Sequence, residues 1–271
     1  MNRELNDIQI ELLNALKWID GFCRDRGIMY SLHGGTLLGA VREKGFISWD
    51  DDADITFTRE EYRRFENAIF NTELPDCLIF DSNRRYPKLY FKRPGYPAVW
   101  IDVFIYDPIS NNKLAQRMKK SLLYFYMILL RDPKTFEVIK KTKKENDLSL
   151  FLMKAINYSG QLVPYERKVA GAKKAAQRFG GSGQLIHRAN DQKSGINEIQ
   201  PVYVMSKYTM TEFEDTRLMI SVYYDEILTQ SYGKDYMTPR KKKNQSTSDA
   251  EAVLERRFAE QLFSDRAGEH R

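Results

Sequence analysis

The chain has 271 residues, 42% of them hydrophobic and 30% charged, which suffices for one sizeable core or a core with a helical appendage. Its two cysteines, Cys23 and Cys77, show no paired spacing, which excludes a disulfide scaffold and a cysteine-based zinc module and fits a reducing compartment. The net charge of +6 owes much to the basic runs at residues 140–144 and 240–243, and RNA-binding signatures are absent, so no nucleic acid partner is expected.

The N-terminal segment is predicted to be an amphipathic helix over residues 6–24. Apolar residues recur there at helical spacing, and Gly27 is well placed as the C-cap. Acidic residues are interspersed among the apolar ones, which is not typical of a secretory signal. We therefore expect a cytoplasmic protein that can make peripheral contact with the inner face of a membrane.

A glycine pair follows the next predicted element, a short strand over residues 29–33. Gly34 and Gly35 then form a strand-to-helix corner, where bare backbone lets a phosphate approach, and Thr36 is predicted to cap the helical turn that follows. Because a helix N-terminus favours negative charge, the corner predicts a phosphate-binding site.

Four carboxylates lie within five positions shortly afterwards, at Asp50, Asp51, Asp52 and Asp54. Their mutual repulsion raises pKa values unless a cation lies among them. Residues 53–58 alternate in polarity and predict a strand, on which Asp52 and Asp54 share one face about 6.5 to 7 Å apart at Cα. Such a pair can bind Mg²⁺ (or Mn²⁺), so we expect a metal site here.

A fifth acidic residue, Asp102, interrupts an apolar strand predicted over residues 99–106. The two preceding strands are predicted at residues 77–80 and 89–92, after a helix over residues 59–69. A carboxylate buried in such a strand is costly unless a metal or a partner holds it. The residues alone leave both a functional and a structural role open.

Residues 112–178 change to a helical and basic composition. Within them, residues 121–130 are apolar all round and flanked by basic residues, but they are too few to span a bilayer. They can bury in the core or lie in a membrane surface. Membrane contact would suit an enzyme with a lipid-linked acceptor.

Three segments together resemble the LicD family of phosphotransferases. GGTLLGAVREKGFISWDDDADI is similar to the family signature, VWIDVF to its D-I-F segment, and YGKDYMTP to its closing motif Y-G-x-D-Y-M-x-P-P. Glu43 stands where the family often has His, Ser48 where it often has Pro, and Arg240 replaces the second closing Pro. The resemblance spans roughly residues 27–239.

This resemblance implies an α+β fold: a nucleotidyltransferase-like mixed sheet flanked by helices, with a helical insertion near residues 112–178. Residues 1–239 would form the catalytic domain, and residues 240–271 a basic linker and a C-terminal helix. The implied reaction moves phosphocholine or a phospho-alditol from a CDP-linked donor to a hydroxyl of a cell-surface glycan or its lipid-linked precursor. Lipopolysaccharide, teichoic acid and capsule are the glycan classes concerned.

The resemblance also implies roles for individual residues. Gly34, Gly35 and Thr36 would hold the donor phosphates, with Arg42 and Asp50 also on the substrate side, while Asp52 and Asp54 would bind the metal. Asp102 would be the general base or a third metal ligand. Two alternatives stay open: a nucleotidyltransferase acting on a small molecule or RNA, and a non-catalytic binder of nucleotide or glycan, against which the intact carboxylates argue.

Overall fold

A computed structural model describes residues 5–133, 136, 147–239 and 246–269. The fold is α+β, as predicted, with helices flanking a mixed sheet. The chain divides into two units. Unit 1 comprises residues 1–82, 86–105 and 203–271, and unit 2 comprises residues 83–85 and 106–202.

The elements, in chain order, are α1 Asp7–Asp25, β1 Ser31–Leu32, α2 Gly34–Arg42, β2 Ala53–Thr58, α3 Arg59–Phe70, β3 Leu78–Asp81, β4 Lys88–Phe91, β5 Val99–Ile109, α4 Lys113–Leu129, α5 Asp147–Ser159, α6 Tyr165–Gln177, β6 Leu185–Arg188, α7 Lys193–Asn197, β7 Ile199–Pro201, β8 Tyr208–Phe213, β9 Thr216–Ser221, α8 Tyr224–Tyr232 and α9 Ser246–Glu269.

The sheet of unit 1 has the strand order β1-β2-β5-β4-β3, so β2 and β5, which carry the candidate carboxylates, are neighbours. β2 has the predicted bounds, and its alternation is borne out on one face, where Ala53, Ile55 and Phe57 are fully buried. Phe57 stacks on Phe65 of α3 with ring centroids 4.8 Å apart. The predicted α1 is also confirmed, with Asn6 as its N-cap.

Four local predictions need correction. α2 begins at Gly34, two residues before the expected cap, because Gly34 adopts φ +55° and turns the chain directly into the helix. The hydroxyl of Thr36 does not cap α2, since it accepts a hydrogen bond from the Asp54 N–H at 2.9 Å. β1 is shorter than predicted, and β5 continues past Tyr106 to Ile109, where its last residues pair with β6.

The C-terminal helix α9 packs on unit 1 itself. Ala259 is fully buried with Tyr90 and Trp100, Glu260 accepts a hydrogen bond from the Ala98 N–H at 2.8 Å, and Arg266 donates to the Leu78 carbonyl at 2.7 Å. Most of the predicted basic linker, residues 240–245, lies outside the described residues. The helix thus covers strands β3, β4 and β5 of its own chain.

Unit 2 combines the end of β5, which pairs with β6, and a group of helices. Gly160 and Gly171 allow close packing on α4, because a Cβ at either position would lie 2.5 Å from an atom of Leu129 or Tyr126. Within residues 121–130, Leu123 and Leu129 are buried but Phe125 is exposed, so core burial holds only for part of that segment. None of the helices in the described ranges is both long and apolar enough to cross a bilayer.

Candidate active site

The two corner glycines stand against two of the clustered carboxylates. A Cβ at Gly34 would lie 2.7 Å from Asp54 Oδ2, and one at Gly35 would lie 2.6 Å from Asp50 Oδ2. Any side chain at either glycine would therefore collide with a carboxylate. The N-terminal end of α2 is bare backbone that admits anionic groups, whether carboxylate or phosphate.

The loop that carries the carboxylates is held at both ends. Gln9 of α1 is fully buried, and its side-chain amide donates to the carbonyl of Asp50 at 3.0 Å and to that of Ile47 at 3.3 Å. At the other end, Thr36 accepts from the Asp54 N–H. The sequence prediction missed Gln9, although a polar residue one helical turn from buried Leu12 and Leu13 was a usable signal.

Asp52 is an exposed residue that lies among other acidic groups. Solvent reaches its side chain, yet the surrounding protein displaces enough water to raise its pKa to about 7. Desolvation is the largest cause, followed by repulsion from Asp50, Asp102 and Asp51, and the ammonium of Lys88 opposes the shift. Asp50 and Asp102 therefore both lie near enough to Asp52 to repel its charge, while the carboxylate of Asp54 lies against Gly34.

Asp102 forms an ion pair with Lys88, its register partner on β4. The ammonium of Lys88 also lies 5.3 Å from the ring centroid of Trp100, and the Lys88 side chain is only 9% exposed. Sequence reasoning anticipated that a partner or a metal must hold Asp102, but it did not identify Lys88. A lysine directly before the apolar run of β4 was the available signal, because an unpaired buried charge there would be costly.

The carboxylates around Asp52 suit Mg²⁺ in chemistry, because every candidate ligand is a carboxylate oxygen. Throughout the described part of the chain, however, no three acidic, histidine or cysteine side chains stand in the arrangement of a metal cluster. Mg²⁺ commonly takes one or two carboxylates together with substrate phosphates, so two of these residues would suffice. Two observations thus favour Mg²⁺ at this position: the type of the ligands and the concentration of negative charge around Asp52.

The other end of α2 borders a cavity of about 400 Å³. Its lining includes Lys44 just after α2, Thr209 and Thr211 of β8, and Tyr236 and Met237 of the YGKDYMTP motif. Arg42, predicted on the substrate side, donates to the carbonyl of Tyr236 at 3.2 Å and to Glu43 at 2.8 Å. Its side chain is therefore engaged with the closing motif, at the opposite end of α2 from the glycines.

One rim of this cavity has a strained backbone. Lys44 and Glu214 both adopt positive φ, at +59° and +51°, and the Glu214 N–H donates to the Lys44 carbonyl at 2.7 Å. The Glu214 carboxylate in turn accepts from the Phe46 N–H at 2.9 Å. Non-glycine residues in this conformation each cost on the order of 1 to 3 kcal/mol and cluster at functional sites.

Residues 27–127 match the family described as LicD/FKTN/FKRP, nucleotidyltransferase domain. The chain is also 28% identical over 252 residues to the lipopolysaccharide cholinephosphotransferase LicD of Haemophilus influenzae, an alignment that covers 86% of this chain and 91% of the relative. Residues 27–127 therefore carry a LicD-family domain. The matched LicD range contains the glycine pair, all four clustered aspartates, and the Lys88–Asp102 ion pair.

Proposed function

We propose that this chain is a LicD-type, metal-dependent phosphotransferase that moves a phospho-substituent from a CDP-linked donor to a hydroxyl of a cell-surface glycan. The observation that carries the proposal is the crowding of Asp50 and Asp102 around Asp52, beside the bare N-terminus of α2. The relative's name supports phosphocholine as the transferred group and lipopolysaccharide as the class of acceptor.

The donor is assigned to the N-terminal end of α2. Backbone N–H groups in the first turn of a helix lack intrahelical partners, so those following Gly34 and Gly35 would hold the donor phosphates. Asp52 and Asp54 would hold Mg²⁺, with Asp50 beside them. When bound, the metal neutralises charge on the pyrophosphate of the donor.

Asp102 is assigned as the general base that takes the proton of the acceptor hydroxyl. Its ion pair with Lys88 supports this role over that of a metal ligand, because a metal would have to share the carboxylate with an ammonium group. Lys88 is a positioning residue in this assignment, since it holds the Asp102 carboxylate on β5.

The cavity beyond the C-terminal end of α2 is assigned to sugar units that neighbour the acceptor hydroxyl. The nine residues of α2 separate it from the glycine pair by about 12 Å. Threonine hydroxyls, tyrosine rings and one ammonium group suit a hydroxyl-rich, anionic saccharide. The assignment also gives a role to the closing motif, which lies outside the range of the family match.

Calorimetry with a panel of nucleotides tests the donor assignment. In the presence of Mg²⁺, CDP-choline, CDP-ribitol and CDP-glycerol are compared with CTP and ATP. We expect one CDP-linked compound to bind more tightly than either triphosphate. Tight binding of CTP or ATP, followed by release of pyrophosphate in a turnover assay, would instead establish the nucleotidyltransferase alternative.

A further inference from the structure

A row of large apolar side chains on α5 and the turn after it faces solvent. We call it the α5 stripe, and its members with their exposed fractions are Leu148 69%, Phe151 68%, Leu152 52%, Tyr158 75% and Leu162 91%. The spacing of three, four and seven residues puts the helical members on one face of α5. Scattered apolar residues are normal on a protein surface, but a continuous row of this kind marks an interaction site.

The opposite face of α5 is already in use. Leu150 and Asn157 are buried, and the amide of Asn157 donates to the carbonyls of Ile128 and Arg131, both at 2.8 Å. Gly160 then lies against Leu129 without room for a side chain. Because these contacts fix the rotation of α5, the stripe cannot turn inward without breaking them.

The unit that carries the stripe is strongly basic. Unit 2 contains 20 basic residues (lysine and arginine) and 8 acidic residues (aspartate and glutamate), which gives a net charge of +12. The rest of the chain contains 23 basic and 29 acidic residues, which gives a net charge of −6. On α4, which packs against α5, Lys113 and Arg117 are exposed. Positive charge and exposed apolar side chains therefore occur together in this unit.

We propose that the α5 stripe inserts its side chains into the surface of an anionic lipid bilayer. Such surfaces accept an apolar helix face at the boundary between headgroups and acyl chains and attract basic residues nearby. A second copy of the chain fits less well, because a symmetric contact through this face would bring two units of +12 together. The sequence left membrane contact open for residues 121–130, and we assign membrane contact to the exposed apolar side chains of α5 instead.

Vesicle flotation tests the proposal without depending on the transfer reaction. The full chain is mixed with vesicles of phosphatidylcholine alone or with phosphatidylglycerol added. We expect binding to the anionic vesicles only, weakened by salt. Phe151→Ser combined with Leu162→Ser should lower the vesicle affinity at least tenfold, whereas Phe70→Ser on α3, where the phenyl is 63% exposed in unit 1, should leave it unchanged.

Three outcomes would overturn the proposal. In the first, the unmodified chain does not bind anionic vesicles. In the second, the double variant binds them as tightly as the unmodified chain does. In the third, light scattering shows the unmodified chain as a dimer that does not bind vesicles and the double variant as a monomer. Circular dichroism checks that the variants fold. If the variant Phe151→Ser with Leu162→Ser does not fold, Leu148→Ser with Leu152→Ser replaces it, and the same loss of vesicle affinity is expected.

Discussion

The side chain of Asp50 rests on the bare backbone of Gly35, where a Cβ would lie only 2.6 Å from Asp50 Oδ2. A side chain at Gly35 must therefore displace that carboxylate and also block the N-terminal end of α2. The relationship ties the acidic loop to the phosphate end of the helix, so one substitution should disturb both.

We predict that Gly35→Val abolishes binding of the CDP-linked donor. The branched side chain would occupy the space of the Asp50 carboxylate and keep phosphates from the backbone. Calorimetry on the folded variant measures the loss. Gly21→Ala is the matched control, because nothing lies within 4 Å of that Cβ, and it should bind donor normally. Donor affinity unchanged in Gly35→Val would contradict the phosphate site.

Asp52→Asn and Asp54→Asn should each lower turnover by several orders of magnitude and weaken divalent-metal binding. The Asp52 substitution also relieves repulsion from Asp50 and Asp102, so the metal-free protein should be as stable as before or slightly more stable. Thermal unfolding and metal titration provide the measurements. Asp51→Asn removes one charge from the same loop at an exposed residue with no assigned role, and it should retain most activity.

Asp102→Asn distinguishes three roles of this residue. If Asp102 is the general base, the variant should keep its affinity for metal and donor while turnover falls roughly 10²- to 10⁴-fold. A metal ligand would lose metal affinity together with turnover, and a structural residue would lose only thermal stability. Lys88→Met should also lower turnover. In the double variant it should lower turnover little beyond the effect of Asp102→Asn alone, because the two side chains form one ion pair.

Lys44→Met should raise the KM for a deacylated lipopolysaccharide acceptor about tenfold while leaving donor affinity unchanged. The methionine keeps the apolar stem but removes the ammonium group that borders the cavity. Lys207→Met, at an exposed lysine outside the cavity lining, is the control. An unaltered acceptor KM, or equal effects of the two variants, would remove the cavity from the acceptor site.

His187 should make the stability of the protein depend on pH. Burial, and next the charge of Lys119, lowers the pKa of His187 to about 3, while its Nδ1–H donates to the Ile196 carbonyl at 2.9 Å. In mildly acidic solution, the His187 imidazole is therefore protonated in the unfolded chain but neutral in the folded chain. The free energy of unfolding should be highest above pH 6.5 and should fall by up to about 1.4 kcal/mol for each pH unit below that value. Chemical denaturation of His187→Gln should show a flatter profile, and parallel profiles would contradict this account.

Local patterns predicted much of unit 1. The alternation in β2 and the helical spacing of α1 and α3 depend on neighbouring residues, and all three elements form where expected. The start of α2 was missed because Gly34 adopts a positive φ and lies against the carboxylate of Asp54, which is 20 residues away in the sequence. Such a contact between distant residues is not visible in a local pattern.

The partners of the candidate site were harder to predict for the same reason. The contact of Gln9 with Asp50 spans 41 residues, and the pairing of Lys88 with Asp102 requires the register of β4 on β5. Likewise, α5 and residues 121–130 are both rich in apolar residues, and only tertiary packing decides which apolar face stays exposed.

The most direct test of the central claim is a single-turnover reaction of the purified chain with CDP-choline and lipopolysaccharide, run with Mg²⁺, with a chelator, and with Asp52→Asn. We predict that CMP is released in step with the appearance of phosphocholine on the glycan, and that both cease in the chelator and in the variant. Undiminished transfer in the chelator or in Asp52→Asn would contradict the account, as would release of pyrophosphate with a nucleotide joined to the acceptor.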